Sequence, residues 1–128
     1  MESHAAKLAI DTPAKYFWIT GGLSSVLDNA PTYLTFLVTA LSARGFDIEN
    51  RADVATLLAS NSHIVAAISM GAVFFGAATY IGNGPNFMVK AIATEQQVAA
   101  PGFFAFIIKY ALPILLPVFV LISLLFFR

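Results

Sequence analysis

A single polar break interrupts the otherwise charge-free run of residues 16–43, at Asp28-Asn29-Ala30-Pro31. An ionised carboxylate costs about 2.5–3.5 kcal/mol at a bilayer centre even on the mildest scale, and proline removes a backbone donor. As helices, residues 16–27 and 33–43 would be about 18 and 17 Å long, and both are shorter than the ~30 Å hydrocarbon core. Two geometries remain open: one broken helix that crosses once, or a re-entrant hairpin whose tip lies near the membrane midplane.

A second break of similar chemistry lies at Gly82-Asn83-Gly84-Pro85-Asn86. It follows residues 62–81, which carry no formal charge and read as the clearest membrane span. Two glycines and a proline remove stiffness and a backbone donor, so the helix is expected to unwind there and to resume at Phe87. Residues 62–98 are therefore predicted to form a discontinuous transmembrane helix with a polar joint, an element from which secondary transporters build midplane sites.

The composition indicates a membrane protein whose main partner is the lipid bilayer. The 128 residues are 59% hydrophobic and 11% charged, against about 25% charged in soluble proteins. The formal net charge is zero and no basic block occurs, so nucleic acid is not expected as a partner. There is no cysteine, which excludes disulfides and thiolate metal sites. Asp28 has no partner acid and no phosphate-binding glycine loop is present, so neither an enzyme nor an organic cofactor is expected.

The predicted fold class is an all-α membrane protein with four elements after a polar N-terminal segment. Thr12 is the expected N-cap of the first helix, with Pro13 at its first position. Tyr16-Phe17-Trp18 is typical either of an interfacial aromatic belt or of core packing. The predicted segments are the polar residues 1–11, a hairpin over 13–43, an interfacial helix over 46–61, the broken helix over 62–98 and a last span over 103–127.

Two motifs in this order resemble the C-terminal half of the ion transporter superfamily, in particular its sodium/proton antiporter and citrate-carrier-like members. They are Thr-Gly-Gly-Leu-Ser-Ser-Val-Leu-Asp-Asn-Ala-Pro-Thr-Tyr-Leu at 20–34 and Tyr-Ile-Gly-Asn-Gly-Pro-Asn-Phe-Met at 80–88. In that family each half carries a re-entrant hairpin and a broken helix, and the tips enclose substrate and sodium. The resemblance therefore favours the hairpin and implies that residues 12–128 form one transporter half. The substrate- or ion-binding residues that it implies are Ser24, Ser25, Asp28, Asn29, Thr32, Asn83, Gly84, Pro85 and Asn86, with Asp28, Asn29 and Asn83 as ligands of a bound sodium ion.

The expected function is cation/proton antiport, sodium for protons, with Asp28 as the titratable ligand. The alternatives are a citrate or dicarboxylate–sodium symporter half of the same fold, and an accessory membrane protein that transports nothing. Because the family has two halves, we expect a truncated or split product that needs an N-terminal half, or a homo-oligomer, in a bacterial inner (plasma) membrane with several spans. If the two breaks form one site, Asp28-Asn29-Ala30 and Asn83-Gly84-Pro85 should lie at about the same membrane depth, with side chains within roughly 10 Å of each other.

Overall fold

The structure, a computed structural model, describes residues 10–128, and all regular elements in that part of the chain are helices. The predicted segment 1–11 therefore lies almost wholly outside the described residues. The helices are α1 (Pro13–Ser24), α2 (Asn29–Ser42), α3 (Arg51–Ser60), α4 (Ser62–Gly76), α5 (Gly84–Glu95) and α6 (Phe103–Phe126). The middle of α6, Ile107–Leu115, is π-helical.

Local capping chemistry sets the start of α1. Thr12 has extended backbone and its hydroxyl accepts from the Lys15 amide at 3.4 Å, with Pro13 at the first helical position as predicted. The Lys15 side chain also donates to Asp11 at 2.6 Å. This hydrogen bond lowers the pKa of the exposed Asp11 carboxyl below its usual value. The charged pair therefore lies just outside the first apolar helix.

The end of α2 is tied to the start of α4. Gly45 adopts the left-handed conformation, with φ of 72°, after the last turn of α2. The Arg44 guanidinium donates to the Ala40 carbonyl at 2.8 Å and to Asn61 Oδ1 at 3.0 Å. Asn50 caps α3 by accepting from the Ala52 amide, and α3 meets α4 at 94°. The helix predicted within 46–61 is present, but it begins at Arg51.

Close glycine contacts align α1 with α4. A Cβ on Gly71 would lie 2.6 Å from the Phe17 carbonyl oxygen, and one on Gly21 would overlap the Phe75 ring. These pairs advance together along both helices, so α1 and α4 run parallel. The Arg44–Asn61 contact at the end of α2 shows that α2 runs antiparallel to α4. The helices α1 and α2 thus run in opposite directions along α4, as the two arms of a hairpin would.

An aromatic core joins α1, α4 and the last helix. Tyr16 and Phe17 are buried, so core packing rather than an interfacial position is the role of these two rings. Trp18 Nε1 donates to Ser123 Oγ at 3.0 Å. Phe75 stacks on Phe119 at 4.1 Å between ring centroids, and Phe17 packs against Phe127 at 5.2 Å. These contacts show that α6 runs antiparallel to α1 and α4.

Among residues 10–128, α6 is the one unbroken helix long and apolar enough to cross a membrane, with a mean hydropathy of 2.4. A second span exists if α3 and α4 are counted as one bent span. Pro113 lies in the π-helical middle of α6; proline has no backbone N–H, and a wider turn relieves the clash of its ring with the preceding turn. The uninterrupted span predicted over 62–81 is wrong at its end, because α4 stops at Gly76 and helix resumes at Gly84 rather than at Phe87.

The contact of Gly71 with Phe17 can be tested with two glycine substitutions in the helices that meet there. Gly71→Ala should destabilise the chain by about 1–3 kcal/mol, since its methyl group meets the Phe17 backbone, which cannot move aside as a side chain can. Gly22→Ala, with nothing near its added Cβ, should instead stabilise α1 by about 0.5–1 kcal/mol. Thermal unfolding in detergent, followed by circular dichroism, measures both. Equal shifts for the two variants would contradict the proposed crossing.

Candidate substrate and ion site

The two breaks lie side by side. Residues 25–28 join α1 to α2, and residues 77–83 join α4 to α5. The Asn29 side-chain nitrogen lies 2.9 Å from the Gly82 carbonyl oxygen, and the Thr79 hydroxyl donates to the Ser25 carbonyl. The expectation that the breaks meet within roughly 10 Å is confirmed for Asn29 and Gly82, and the expected common membrane depth stays a prediction. The residues that make contact on the α4 side are Thr79 and Gly82, just before the predicted Asn83.

Asn29 is the centre of this contact. Its side chain faces the carbonyl oxygens of Ala72 and Gly82, and because carbonyls only accept, the amide is oriented with its nitrogen towards them. Nδ2 lies 2.8 Å from the Ala72 oxygen and 2.8 Å from Ser24 Oγ. The fully buried Ser24 hydroxyl itself donates to the Ala72 carbonyl. Three acceptors from α1, α4 and the second break therefore surround one amide group.

Two glycines make room for that amide. A Cβ on Gly76 would overlap the Asn29 side chain. A Cβ on Gly82 would lie 2.7 Å from the Gly76 carbonyl oxygen and 2.9 Å from that of Ser24. Real Cβ atoms essentially never approach backbone this closely. The early end of α4 follows from this packing, since the chain at Gly76 leaves the helix where the Asn29 amide enters.

Thr79 joins the two breaks and is absent from the predicted site residues. It is buried, donates to the Ser25 carbonyl, and accepts from the Ile81 and Gly82 amides at 3.2 and 3.0 Å. One hydroxyl thus satisfies groups on both breaks. Its position between Gly76 and Gly82 is a signal from which it could have been found, although the predicted span over 62–81 includes it.

Asp28 has a different environment from Asn29. Its carboxylate accepts from the Asn29 backbone amide at 2.8 Å and caps α2. The residue is exposed and lines a hollow of about 180 Å³ together with Thr32 and Thr35. The Thr32 and Thr35 hydroxyls donate to the carbonyls of Asp28 and Pro31, which leaves oxygen lone pairs on both side chains. Because Asp28 is exposed beside these oxygens, its carboxylate is available to a ligand.

The asparagines of the second break bind backbone. Asn83 Oδ1 accepts from the Asn86 amide at 2.9 Å and caps α5. Asn86 Nδ2 donates to the carbonyls of Thr79 and Ala77, at 3.2 and 3.4 Å. Gly84 and Pro85 are exposed, as is most of α5. The start of α5 thus lies on an uncovered face, with the amides of Asn86 and Phe87 already bonded to Asn83.

Sodium is bound by oxygen atoms, and the structure offers several near the tip. Residues 10–128 contain no cluster of three His, Cys, Asp or Glu side chains that could hold a metal ion. The oxygens that share a hollow are those of Asp28, Thr32 and Thr35. Within the described chain, Asp28 has no hydrogen bond to Asn83. The ligand set Asp28, Asn29 and Asn83 stays a prediction, and so do the binding roles of the other tip residues, Ser24 and Ser25 included.

The chain matches a known protein family. A family described as "Putative citrate transport" matches residues 2–127. Comparisons with curated proteins and with solved structures gave no significant match. The matched range includes both breaks and all six helices.

The shared role of Thr79 can be tested with two substitutions. Thr79→Val keeps the shape but leaves the Ser25 carbonyl and the Gly82 amide without their partner, which should cost about 1–3 kcal/mol. Thr79→Ser retains the hydroxyl and should keep most of the stability. Thermal unfolding of both variants in detergent makes the comparison, and a Val variant as stable as the Ser variant would show that the hydroxyl is not needed.

Proposed function

Because the chain belongs to the family described as "Putative citrate transport", we propose that it forms half of the binding site of a cation-coupled citrate carrier. Membership of a transport family and the long apolar helix α6 indicate a membrane protein. The observation that carries the proposal is the meeting of two helix breaks through Asn29 and Thr79. Paired breaks of this kind are how secondary transporters build binding sites.

We place the two breaks inside the membrane. Ser25 and Thr79 share a cavity of about 340 Å³ with Ile107 and Ala111 of α6, so the breaks lie level with the apolar helix rather than beyond its ends. In this arrangement α1 and α2 are a re-entrant hairpin, α4 and α5 a discontinuous helix, and α3 lies along the surface at 94° to α4. Irregular backbone at that depth must be buried in protein or face a watery cavity. The hydrogen bonds between the breaks meet that condition.

The helix N-termini at the two breaks and the Asp28 carboxylate have opposite effects on an anion such as citrate. The N-termini of α2 and α5 begin at the two breaks, and helix N-termini attract anions such as the carboxylates of citrate. The Asp28 carboxylate at the same tip repels citrate. A cation held by Asp28, with Thr32 and Thr35 beside it, removes that repulsion. Citrate binding is therefore coupled to the cation in this proposal.

In this proposal a complementary half covers the exposed side of the site. Asp28, Gly84 and Pro85 are exposed, and α5 has no buried residue. Alternating access also needs one repeat or bundle to move against another. We assign this role to an N-terminal half of the same superfamily arrangement, with a second copy of the chain as the alternative outcome of the test.

Sodium/proton exchange is the second candidate, because Asp28 is the lone carboxylate at the tip. A group that holds either a proton or a sodium ion gives exchange directly. The two functions differ in a measurable way, since the carrier moves citrate with the cation and the antiporter moves protons against it.

The function is tested in proteoliposomes that contain the chain with its complementary half. A sodium gradient should drive uptake of radiolabelled citrate, and Asp28→Asn should reduce uptake to the sodium-free rate while the protein remains folded, since asparagine also caps helices. Asp53→Asn, on α3 and outside the site, is the matched control and should keep wild-type uptake. A sodium-driven pH change without citrate uptake would support the antiporter instead.

The need for a complementary half gives a separate prediction. Proteoliposomes with the purified chain alone should show neither citrate uptake nor a sodium-driven pH signal. Uptake that appears in proportion to the square of the chain concentration would assign the second half to another copy. Uptake by the monomeric chain would contradict the half-site proposal.

A further inference from the structure

We propose that Asn29 is the positioning residue of this site: its amide nitrogen acts as a hydrogen-bond donor that locks the hairpin tip to the broken helix and so fixes the neighbouring Asp28, rather than as a donor to the substrate. The lock consists of Nδ2 against the carbonyls of Ala72 and Gly82 and against Ser24 Oγ, all at 2.8–2.9 Å. Both hydrogens of the amide are used by these acceptors. The nitrogen is therefore unavailable to a substrate carboxylate.

The surroundings show that the amide fits by shape as well as by hydrogen bonding. Gly76 leaves the space that the amide side chain fills, and Gly82 lets the second break approach the backbone of Gly76 and Ser24 beside it. Ser24 is fully buried beneath it. A substrate that accepted from the amide nitrogen would require it to leave three partners, where unpaired polar groups are costly.

The position of Asp28 follows from that of Asn29. The two residues are adjacent, and the Asp28 carboxylate accepts from the Asn29 backbone amide. Asn29 begins α2, so any shift of its side chain from α4 moves the helix start and the carboxylate with it. The lock thus holds the exposed carboxylate at a fixed place relative to the start of α5.

The substitution Asn29→Asp separates the lock from a role as cation ligand. It keeps the shape of the side chain but replaces the donor with oxygens that face the Ala72 and Gly82 carbonyls, so the lock should break. If Asn29 were a cation ligand, the added negative charge would retain or increase sodium affinity. Asn29→Ala removes the donor without adding charge, and it covers the case in which the Asp variant does not fold.

The chain offers a clean structural readout, because it contains no cysteine. Leu27→Cys and Ile81→Cys place one spin label on each break, at exposed positions, and dipolar electron paramagnetic resonance measures the distance between them. With Asn29 intact we expect a single narrow distribution. Asn29→Asp and Asn29→Ala should broaden it and shift it to longer distances. Asn50→Asp is the matched control, since Asn50 caps α3 as an acceptor and a carboxylate accepts equally well.

Sodium binding to the same detergent-solubilised chains is the second readout, and this arm alone depends on the proposed function. Asn29→Asp and Asn29→Ala should each bind sodium at least tenfold more weakly than wild type, while Asn50→Asp binds as wild type does. A narrow, unshifted distance in both Asn29 variants, or wild-type sodium affinity in Asn29→Asp, would overturn the proposal. If wild type binds no sodium even with its complementary half, the proposed function fails, and the distance measurement still decides whether Asn29 is the lock.

Discussion

The backbone groups freed by the two helix breaks are the constraint on which the rest of the structure depends. Each break leaves amides and carbonyls without helical partners, and in apolar surroundings every such group is costly. Asn29 and Thr79 join the breaks, so that each supplies partners to the other. Either break alone would need water or another protein segment. The hairpin tip and the broken helix therefore form a single unit.

The register between α1 and α4 brings that unit together. The contacts of Gly71 with Phe17 and of Gly21 with Phe75 hold the two helices in parallel at close approach. This register places Ser24, at the end of α1, beside Ala72 on α4. The stacked rings of Phe75 and Phe119 then hold α6 against the pair. The site is thus positioned by helix packing directly beside it, since Gly71 and Phe75 adjoin Ala72 and Gly76, and a substitution at the crossing would also affect the site.

Local chemistry explains which features could be predicted from the sequence. The starts of α1, α2 and α5 depend on Thr12, Asp28 and Asn83, whose capping signals lie within three residues of the groups they bind. The predicted start of α5 at Phe87 is nevertheless wrong, because Asn83 caps the helix from Gly84. The early end of α4 at Gly76 could not be predicted, because it depends on the Asn29 side chain, which is distant in sequence. The orientation of the Asn29 amide could not be predicted either, because its partners Ala72 and Gly82 are also distant in sequence. An asparagine in a polar break predicts a hydrogen bond, but only the tertiary contacts show that backbone carbonyls, rather than a ligand, are its partners.

Some residues of the two breaks bind backbone groups, and other groups face outward. Asn29, Thr79 and Asn86 are engaged with carbonyls and amides of the breaks, whereas the Asp28 carboxylate and the start of α5 face an uncovered side. A mobile carboxylate would lose entropy on binding each cation, and a carboxylate fixed by its neighbour has already lost it. Rigid support combined with an exposed charge suits a site that must bind and release an ion repeatedly. In the proposed carrier, the affinity of Asp28 for its cation is therefore set by the lock beside it as much as by the carboxylate itself.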